Sequence, residues 1–397
     1  MNAAIDAAID VKGWCPGALR PMPSGDGLIV RIRPTCGALS LEQASALAGL
    51  AQALGNGHID LTRRANLQLR GLGEERLADL HAELRRLSLL DHDVATEARR
   101  NVMVSPLAGL DPAEPFDVRP IAAALDRALA SDASLQGLPA KFAFLVDGGG
   151  PLSIAGERAD ISLAATGTTI AFGLDTPRGT AWLGSLAPER AADAALAAAR
   201  AFLAADGCGR MRDRALQVRQ AVQPLLDVLE AVPAPGVRRV GLLSAAVGLA
   251  AAFGRLESSQ LQGLVSLARQ AGAGDLRFSP WRSLYIGVRS AALLDGARSI
   301  GLIVDECDSL LRIEACPGAP DCAASTVRTR ADARSLAVLA GMCAFVGRIH
   351  VSGCAKKCAC TAAADLTLVG EDGRYRVGTE TVEPSDFPRL LRLATHD

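Results

Sequence analysis

The segment Gly37 to Arg70, GALSLEQASALAGLAQALGNGHIDLTRRANLQLR, lies without a gap over Gly254 to Gly287, GRLESSQLQGLVSLARQAGAGDLRFSPWRSLYIG, at a constant offset of 217 residues. Gly37, Leu39, Gln43, Leu47, Leu50, Ala51, Gly55, Gly57 and Leu67 meet identical residues in Gly254, Leu256, Gln260, Leu264, Leu267, Ala268, Gly272, Gly274 and Leu284. Leucine and alanine matches between helices come cheaply, but paired glycines do not, so the correspondence reads as an internal duplication.

In each copy an apolar stretch, Leu28 to Ile32 or Val240 to Leu243, precedes a run with leucine and alanine at helical spacing. Ser40 with Gln43 predicts a capping box, and the glycines at 55, 57, 272 and 274 are expected to end each helix through the left-handed turn that glycine adopts without a steric penalty. A second strand follows, so each copy is a β-α-β unit. A longer α/β stretch follows each copy, which predicts domains 1–95, 96–230, 231–300 and 301–397 in the order small, large, small, large. The proline-rich connectors are 111–115 and 233–235, the second marking the boundary between halves. The alanine-rich run Ala187 to Ala205 has the composition of an ordinary surface helix.

With 397 residues, 49% hydrophobic and 21% charged, the chain has ample length for a sizeable interior and more than one domain. Forty-two basic residues against 43 acidic ones, and only 4% aromatics, argue against general attraction to nucleic acid and against base-stacking surfaces. Asp6 and Asp10 stand where a signal peptide needs a basic and then an apolar start, and the longest uncharged run, Val240 to Gly254, falls short of the roughly 20 residues of a membrane span. A cytoplasmic protein without membrane partners is expected, with its cysteines mostly as thiols.

Seven of the ten cysteines lie between Cys307 and Cys360. Two pairs stand out, Cys316 with Cys322 (C-x5-C) and Cys354 with Cys358 (C-x3-C), separated by a helix predicted over Thr329 to Phe345. Four thiolates in two clusters suit a soft metal centre. Pro317, Gly318, Pro320 and Gly353 keep both segments irregular, which leaves backbone N–H groups free to bond sulfur. Spacing alone admits an iron–sulfur cluster, a structural zinc site or buried free thiols.

These segments, Ala315 to Cys322 and Val351 to Cys358, resemble the [4Fe-4S] signature of the nitrite and sulfite reductase superfamily, and the small-large-small-large order resembles it over nearly the whole chain. The resemblance implies a duplicated α/β (α+β) fold, two ferredoxin-like half-domains alternating with two larger α/β lobes. Cys316, Cys322, Cys354 and Cys358 would then hold the cluster. Cys15-Pro-Gly with Arg20-Pro-Met-Pro-Ser-Gly-Asp-Gly27, Ser279-Pro-Trp-Arg282 and His350-Val-Ser-Gly-Cys-Ala-Lys356 are similar to an oxygen-dependent branch that modifies a tetrapyrrole, and they imply a non-haem iron whose ligands carry over to no residue here. Cys360 departs from that branch's pattern and, like Cys15, has no assigned role.

A tetrapyrrole intermediate with about eight carboxylates needs matched cationic donors. Arg31 and Arg33 on the first strand, and Arg63, Arg64, Asn66, Gln68 and Arg70 after the helix, supply them in the first copy, with alternation placing some on one face. In the second copy Arg31, Arg33, Arg63, Arg64 and Arg70 become Gly248, Ala250, Pro280, Trp281 and Gly287, which predicts one functional pocket and one structural copy. A charge run by itself is more often a solvated face. Here it aligns with the superfamily's T-x-R-x-x-x-Q-like tetrapyrrole-binding stretch.

Arg100 and Asn101 resemble the superfamily's R-N-V turn, and Leu138 to Phe142 resembles its L-P-x-K-F-K, with Lys141 kept and Ala143 in place of the second lysine. That loss argues against six-electron reduction of sulfite or nitrite. Arg282 is a further carboxylate-binding candidate. Of the five histidines only His350, four residues before Cys354, is placed near the cluster.

No dinucleotide-binding glycine fingerprint or P-loop is present, so electrons are expected from an external donor or reductase. The resemblance implies hydroxylation of the macrocycle by O2 with closure of an acetate to a γ-lactone. The rivals are a sirohaem-dependent sulfite or nitrite reductase and a non-catalytic tetrapyrrole or iron–sulfur binding protein.

Overall fold

The computed structural model describes residues 14–358 and 363–394; Asp6, Asp10, Cys360 and His396 lie outside them. These residues divide into two compact units, one of residues 16–23 and 27–306, the other of 307–394 with 14–15 and 24–26.

In the first unit the two sequence copies build two sheets that exchange strands. Gly27–Ile32, Leu67–Leu72 and His58–Leu61 lie side by side, and the next strand is Arg255–Glu257 from the second copy. Val247–Ala250, Ser283–Ile286 and Asp275–Phe278 do the same and take Ala38–Ser40 from the first. The registers are reciprocal: Arg255 opposes Asp60 and Ala38 opposes Arg277, the same pairing at the 217 offset.

The helices Leu41–Leu54 and Ser258–Gln270 contribute Leu47, Ala51, Leu264 and Ala268 to one shared interior with Val30, Ile59, Leu249 and Leu276. Neither copy could bury its apolar face alone. The predicted capping box is formed: Gln43 N–H donates to Ser40 Oγ at 3.1 Å and Ser40 N–H to Gln43 Oε1 at 3.0 Å.

Two expectations are corrected. Val240 to Leu243 holds only the two-residue strand Gly241–Leu242, and the counterpart of the first strand is Val247–Ala250. The glycines that end the helices differ in role. Gly272 (φ 77°) is left-handed, whereas Gly55 (φ −119°) is extended and required because a Cβ there would lie 2.4 Å from the Arg70 carbonyl oxygen; the left-handed glycine of the first copy is Gly57 (φ 80°).

The remainder of the first unit has three parallel strands, Val102–Val104, Phe144–Asp147 and Ile161–Thr166, continued antiparallel by Thr169–Thr176 and Gly179–Leu186. The helices Arg119–Ser131 and Pro188–Ala204 line its core, the second being the alanine-rich run. The second unit repeats the pattern: parallel Ile313–Ala315, Ile349–Ser352 and Leu366–Glu371, then antiparallel Arg374–Val377 and Glu380–Val382, with the helix Thr329–Met342 between the first two strands. The duplication therefore extends to the larger lobes, and the fold is a duplicated α/β one.

Candidate metal centre and anion-binding face

In the second unit Cys316 follows the strand Ile313–Ala315 and Cys354 follows Ile349–Ser352, its parallel neighbour, so the pairing of two strands brings the two cysteine segments together. Gly353 N–H donates to Cys316 Sγ at 3.0 Å, and Thr329 Oγ1 at the helix start donates to the Cys316 carbonyl at 2.6 Å. A Cβ at Gly353 would lie 2.2 Å from Ser325 Oγ and 3.4 Å from Cys316 Sγ. Glycine is thus what lets this backbone approach the sulfur.

The Cys322 segment rests on Gly25, where a Cβ would meet Ala323 N at 2.7 Å and Cys322 Cα at 3.0 Å, which accounts for the glycine in Ser24-Gly-Asp-Gly27. Burial, and then the charges of Cys316, Cys354 and Cys322, push the Cys358 thiol up, with Lys356 opposing. Among the described residues, no three His, Cys, Asp or Glu side chains gather as tightly as a lone metal ion needs.

His350 lies on Ile349–Ser352, in register with Glu314 on one side and Thr367 on the other. It is 2% exposed, and neither ring nitrogen has a hydrogen-bond partner among the described residues. Burial holds its pKa below the usual value; Glu314 opposes this and Lys357 reinforces it.

The arginine face lies in the first unit. Arg31 opposes Gln68, and Gln68 opposes Asp60, which opposes Arg255, so one polar row crosses four strands. Alternation adds Arg33, Asn66 and Arg70 to that face, while Val30, Ile32, Leu67 and Leu69 enter the core. In the other sheet the same row reads Gly248, Tyr285, Arg277 and Ala38, with Tyr285 buried.

The face is not uniformly open. Arg33 is buried 3.4 Å from Glu97, whose carboxylate also accepts the N–H groups of Ala18 and Leu19. Arg70 lies 3.5 Å from Asp60, and Arg255 donates to Asp60 at 2.8 and 3.2 Å. Arg100 is tied to Asp126 and Asp91; burial works against its charge, but the two carboxylates raise its pKa above the usual value. Asn101 Nδ2 donates to the carbonyls of Ala98, Ala140 and Phe142. Lys141 is exposed, while Ala143, in the place of the second lysine, is fully buried and donates its N–H to Asp160.

Arg63 and Arg64 project from a turn built by Thr62, whose Oγ1 accepts the N–H groups of Arg64 and Asn66 at 3.2 and 3.1 Å, with Ala65 at φ 54°. The counterpart turn in the second copy keeps this backbone. Ser279 N–H donates to the Ser283 carbonyl, as Thr62 N–H does to Asn66, and Arg282 takes φ 56° at the position of Ala65. The Arg282 side chain lies over Gly254, where a Cβ would meet its Cδ at 2.7 Å. Burial pushes the Glu157 carboxyl up, while Arg63, Trp281 and Arg64 lower it; its lone position in a loop gave no signal in the sequence.

The family model described as the nitrite/sulfite reductase ferredoxin-like half domain matches residues 20–87, and that of the nitrite and sulphite reductase 4Fe-4S domain matches 95–176. The second match falls on the first lobe, not on the cysteine-bearing one. A precorrin-3B synthase of Sinorhizobium sp. is 32% identical over 380 residues, covering 92% of this chain and 82% of that protein. The chain belongs to the precorrin-3B synthase family, within the nitrite and sulfite reductase superfamily. A sulfite reductase [ferredoxin] 2 of Mycolicibacterium paratuberculosis is 24% identical over 92% of this chain and 75% of its own length. The solved structure of the NirA protein of Mycobacterium tuberculosis superposes with a TM-score of 0.75 at 20% identity, covering 93% of this chain and 80% of that one, which places this family member in the same fold. No helix among the described residues is long and apolar enough to cross a membrane.

Proposed function

We propose that this chain is an oxygen-dependent enzyme of aerobic cobalamin synthesis. It would hydroxylate precorrin-3A and close a γ-lactone, with a [4Fe-4S] cluster on Cys316, Cys322, Cys354 and Cys358 and a non-haem iron of unassigned ligands. The observation that carries this reading is the one-sided survival of the polar row: Arg31 and Gln68 in the first copy against Gly248 and Tyr285 in the second.

The cysteine site fits a cluster. The pairing of Ile313–Ala315 with Ile349–Ser352 brings the segments of Cys316 and Cys354 together, and the Gly353 N–H already meets one sulfur. When bound, such a cluster stores and passes single electrons. A monooxygenation consumes O2, two electrons and two protons, placing one oxygen in the product and the other in water, so an external donor is required.

The chain's own residues bind and orient. Arg33, Arg70 and Arg100 are held by Glu97, Asp60, and Asp91 with Asp126. Arg31 and Gln68 on the polar row, Arg63 and Arg64 on the Thr62 turn and Arg282 on its counterpart turn are the proposed carboxylate-binding set, by their position. Holding one acetate against the ring favours lactone closure by paying the orientation entropy beforehand. Against a sirohaem-dependent sulfite or nitrite reductase stands buried Ala143, which supplies no second cation for an oxyanion.

Anaerobically purified protein should contain iron and acid-labile sulfide and give a reduced-state paramagnetic signal. With precorrin-3A, reductant and O2 it should yield an oxygenated lactone. Sirohaem absorption bands, or substrate binding without O2 consumption, would overturn the reading.

A further inference from the structure

The two larger lobes repeat each other residue by residue around the cysteine segments. Gly148 N–H donates to Ser105 Oγ at 2.9 Å, as Gly353 N–H does to Cys316 Sγ at 3.0 Å. Ser105 N–H bonds the Val146 carbonyl as Cys316 N–H bonds that of Val351, and Glu114 N–H bonds the Asp111 carbonyl as Ser325 N–H bonds that of Cys322. Cys316, Cys322, Cys354 and Cys358 therefore have Ser105, Asp111, Gly149 and Ser153 as counterparts. The lobe without sulfur reveals what the scaffold itself requires of these turns.

It requires no charge between the last two positions. There the first lobe has Gly150-Pro151-Leu152, with Leu152 buried among Leu107, Ala246 and Tyr285. The second has Ala355-Lys356-Lys357, all exposed. Lys357 takes φ 48° and donates its N–H to the Cys354 carbonyl at 3.2 Å, a tight turn that keeps both lysines at the surface. Other exposed cations of this unit are tied to carboxylates: Arg374 to Glu383, Arg376 to Glu371 and Arg389 to Glu380. Among the described residues no carboxylate pairs with Lys356 or Lys357.

We propose that the turn Cys354–Cys358 is the docking site of a small acidic one-electron carrier protein, steered and held by Lys356 and Lys357. This inference rests on the reading that the four cysteines hold the cluster, and it names the kind of donor that reading requires. The surface around the turn suits close approach, because Cys358 is exposed and the flanking Ala323, Ala324 and Ala355 are exposed side chains of a single carbon. The choice of cation suits a brief encounter. Only four of the 42 basic residues are lysines, and two of the four adjoin here. A guanidinium locks onto a carboxylate through two bonds, whereas an ammonium remains a hydrated point charge that attracts a partner and releases it. Two electrons delivered singly need a carrier that leaves after each.

The test is stopped-flow reduction of the anaerobic, cluster-loaded protein by a reduced plant-type [2Fe-2S] ferredoxin, an acidic carrier, with dithionite as a reductant that needs no docking. Wild type is compared with Lys356→Gln, Lys357→Gln, the double variant Lys356→Glu/Lys357→Glu, and Arg269→Gln as an exposed charge change in the other unit. At low salt the double variant should be reduced by ferredoxin at least about tenfold more slowly than wild type, and each glutamine variant less so. The differences should vanish at about 0.5 M salt, where exposed charges are screened. Arg269→Gln should match wild type, and dithionite should reduce all five proteins to the same extent. Equal ferredoxin rates in wild type and the lysine variants, a wild-type rate indifferent to salt, or no reduction by ferredoxin where dithionite succeeds overturns the docking site and leaves the cluster standing. If the double variant loses iron, the two glutamine variants decide by the same comparison. Absence of iron and sulfide from wild type refutes the cluster, and the docking site with it.

Discussion

Ser45 and Gln262 hydrogen-bond to each other, Gln262 Nε2 donating to Ser45 Oγ at 3.1 Å, although they are 217 residues apart and hold the same place in the two copies. A contact between counterparts marks the pseudo-twofold axis of the duplicated pair. Around it the strand exchange is reciprocal to the residue, Leu256 on Ile59 and Leu39 on Leu276. The axis explains how one copy could lose its arginines: the surviving face is completed by Arg255 from the other copy, so the second copy is retained for its strand and its half of the core.

The Ser45–Gln262 bond is exposed, and exposed polar pairs contribute little, so Gln262→Ala should alter the urea midpoint by an amount equivalent to less than about 1 kcal/mol. Asp60→Asn should behave differently. Asp60 is buried between Arg70 and Arg255, and removing the charge from such a network costs about 3–5 kcal/mol. A difference of under about 1 kcal/mol between the two variants would show that the exchanged strands do not depend on this tie.

Gly353→Ala should lose most of its iron and acid-labile sulfide, because the new Cβ collides with Ser325 Oγ and Cβ beside the Cys316 sulfur, and Ser325 is itself fixed by a 2.9 Å bond to the Val327 carbonyl. Cys354→Ser should do the same, whereas Cys208→Ser, exposed and in the other unit, should retain wild-type iron and sulfide. Equal metal content in all three would refute the ligand assignment.

What sequence reading could reach follows from what each signal physically encodes. The repeat, the Ser40 capping box and the Pro188–Ala204 helix depend on local spacing, and the structure has them where spacing put them. The strand exchange was hidden because Ala38–Ser40 and Arg255–Glu257 are three residues long, too short for any periodicity to say whose sheet they join. The arginines were legible as a cluster, but a guanidinium carries no mark of its partner. Only the fold shows that Glu97, Asp91 and Asp126 hold Arg33 and Arg100.

Glu114 provides a pH test of the first lobe. Burial, reinforced by Asp147, Asp111 and Asp117 and opposed by the Gly109 N–H, pushes its pKa up from 4.5 to about 7. A carboxyl that binds its proton more tightly when folded contributes stability that is fully present below its unfolded pKa and is lost as pH rises through the folded one. For Glu114 that window runs from about pH 4.5 to about pH 7. Glu114→Gln keeps an acceptor for the Gly109 N–H at 3.0 Å but cannot ionise. Its denaturation midpoint should match wild type near pH 5 and exceed it at pH 8, with a shallower slope between. Asp147, pushed up to about 6 by burial, keeps some slope in the variant. Parallel midpoint-against-pH curves for the two proteins would show that Glu114 is ionised throughout and that its burial is compensated elsewhere.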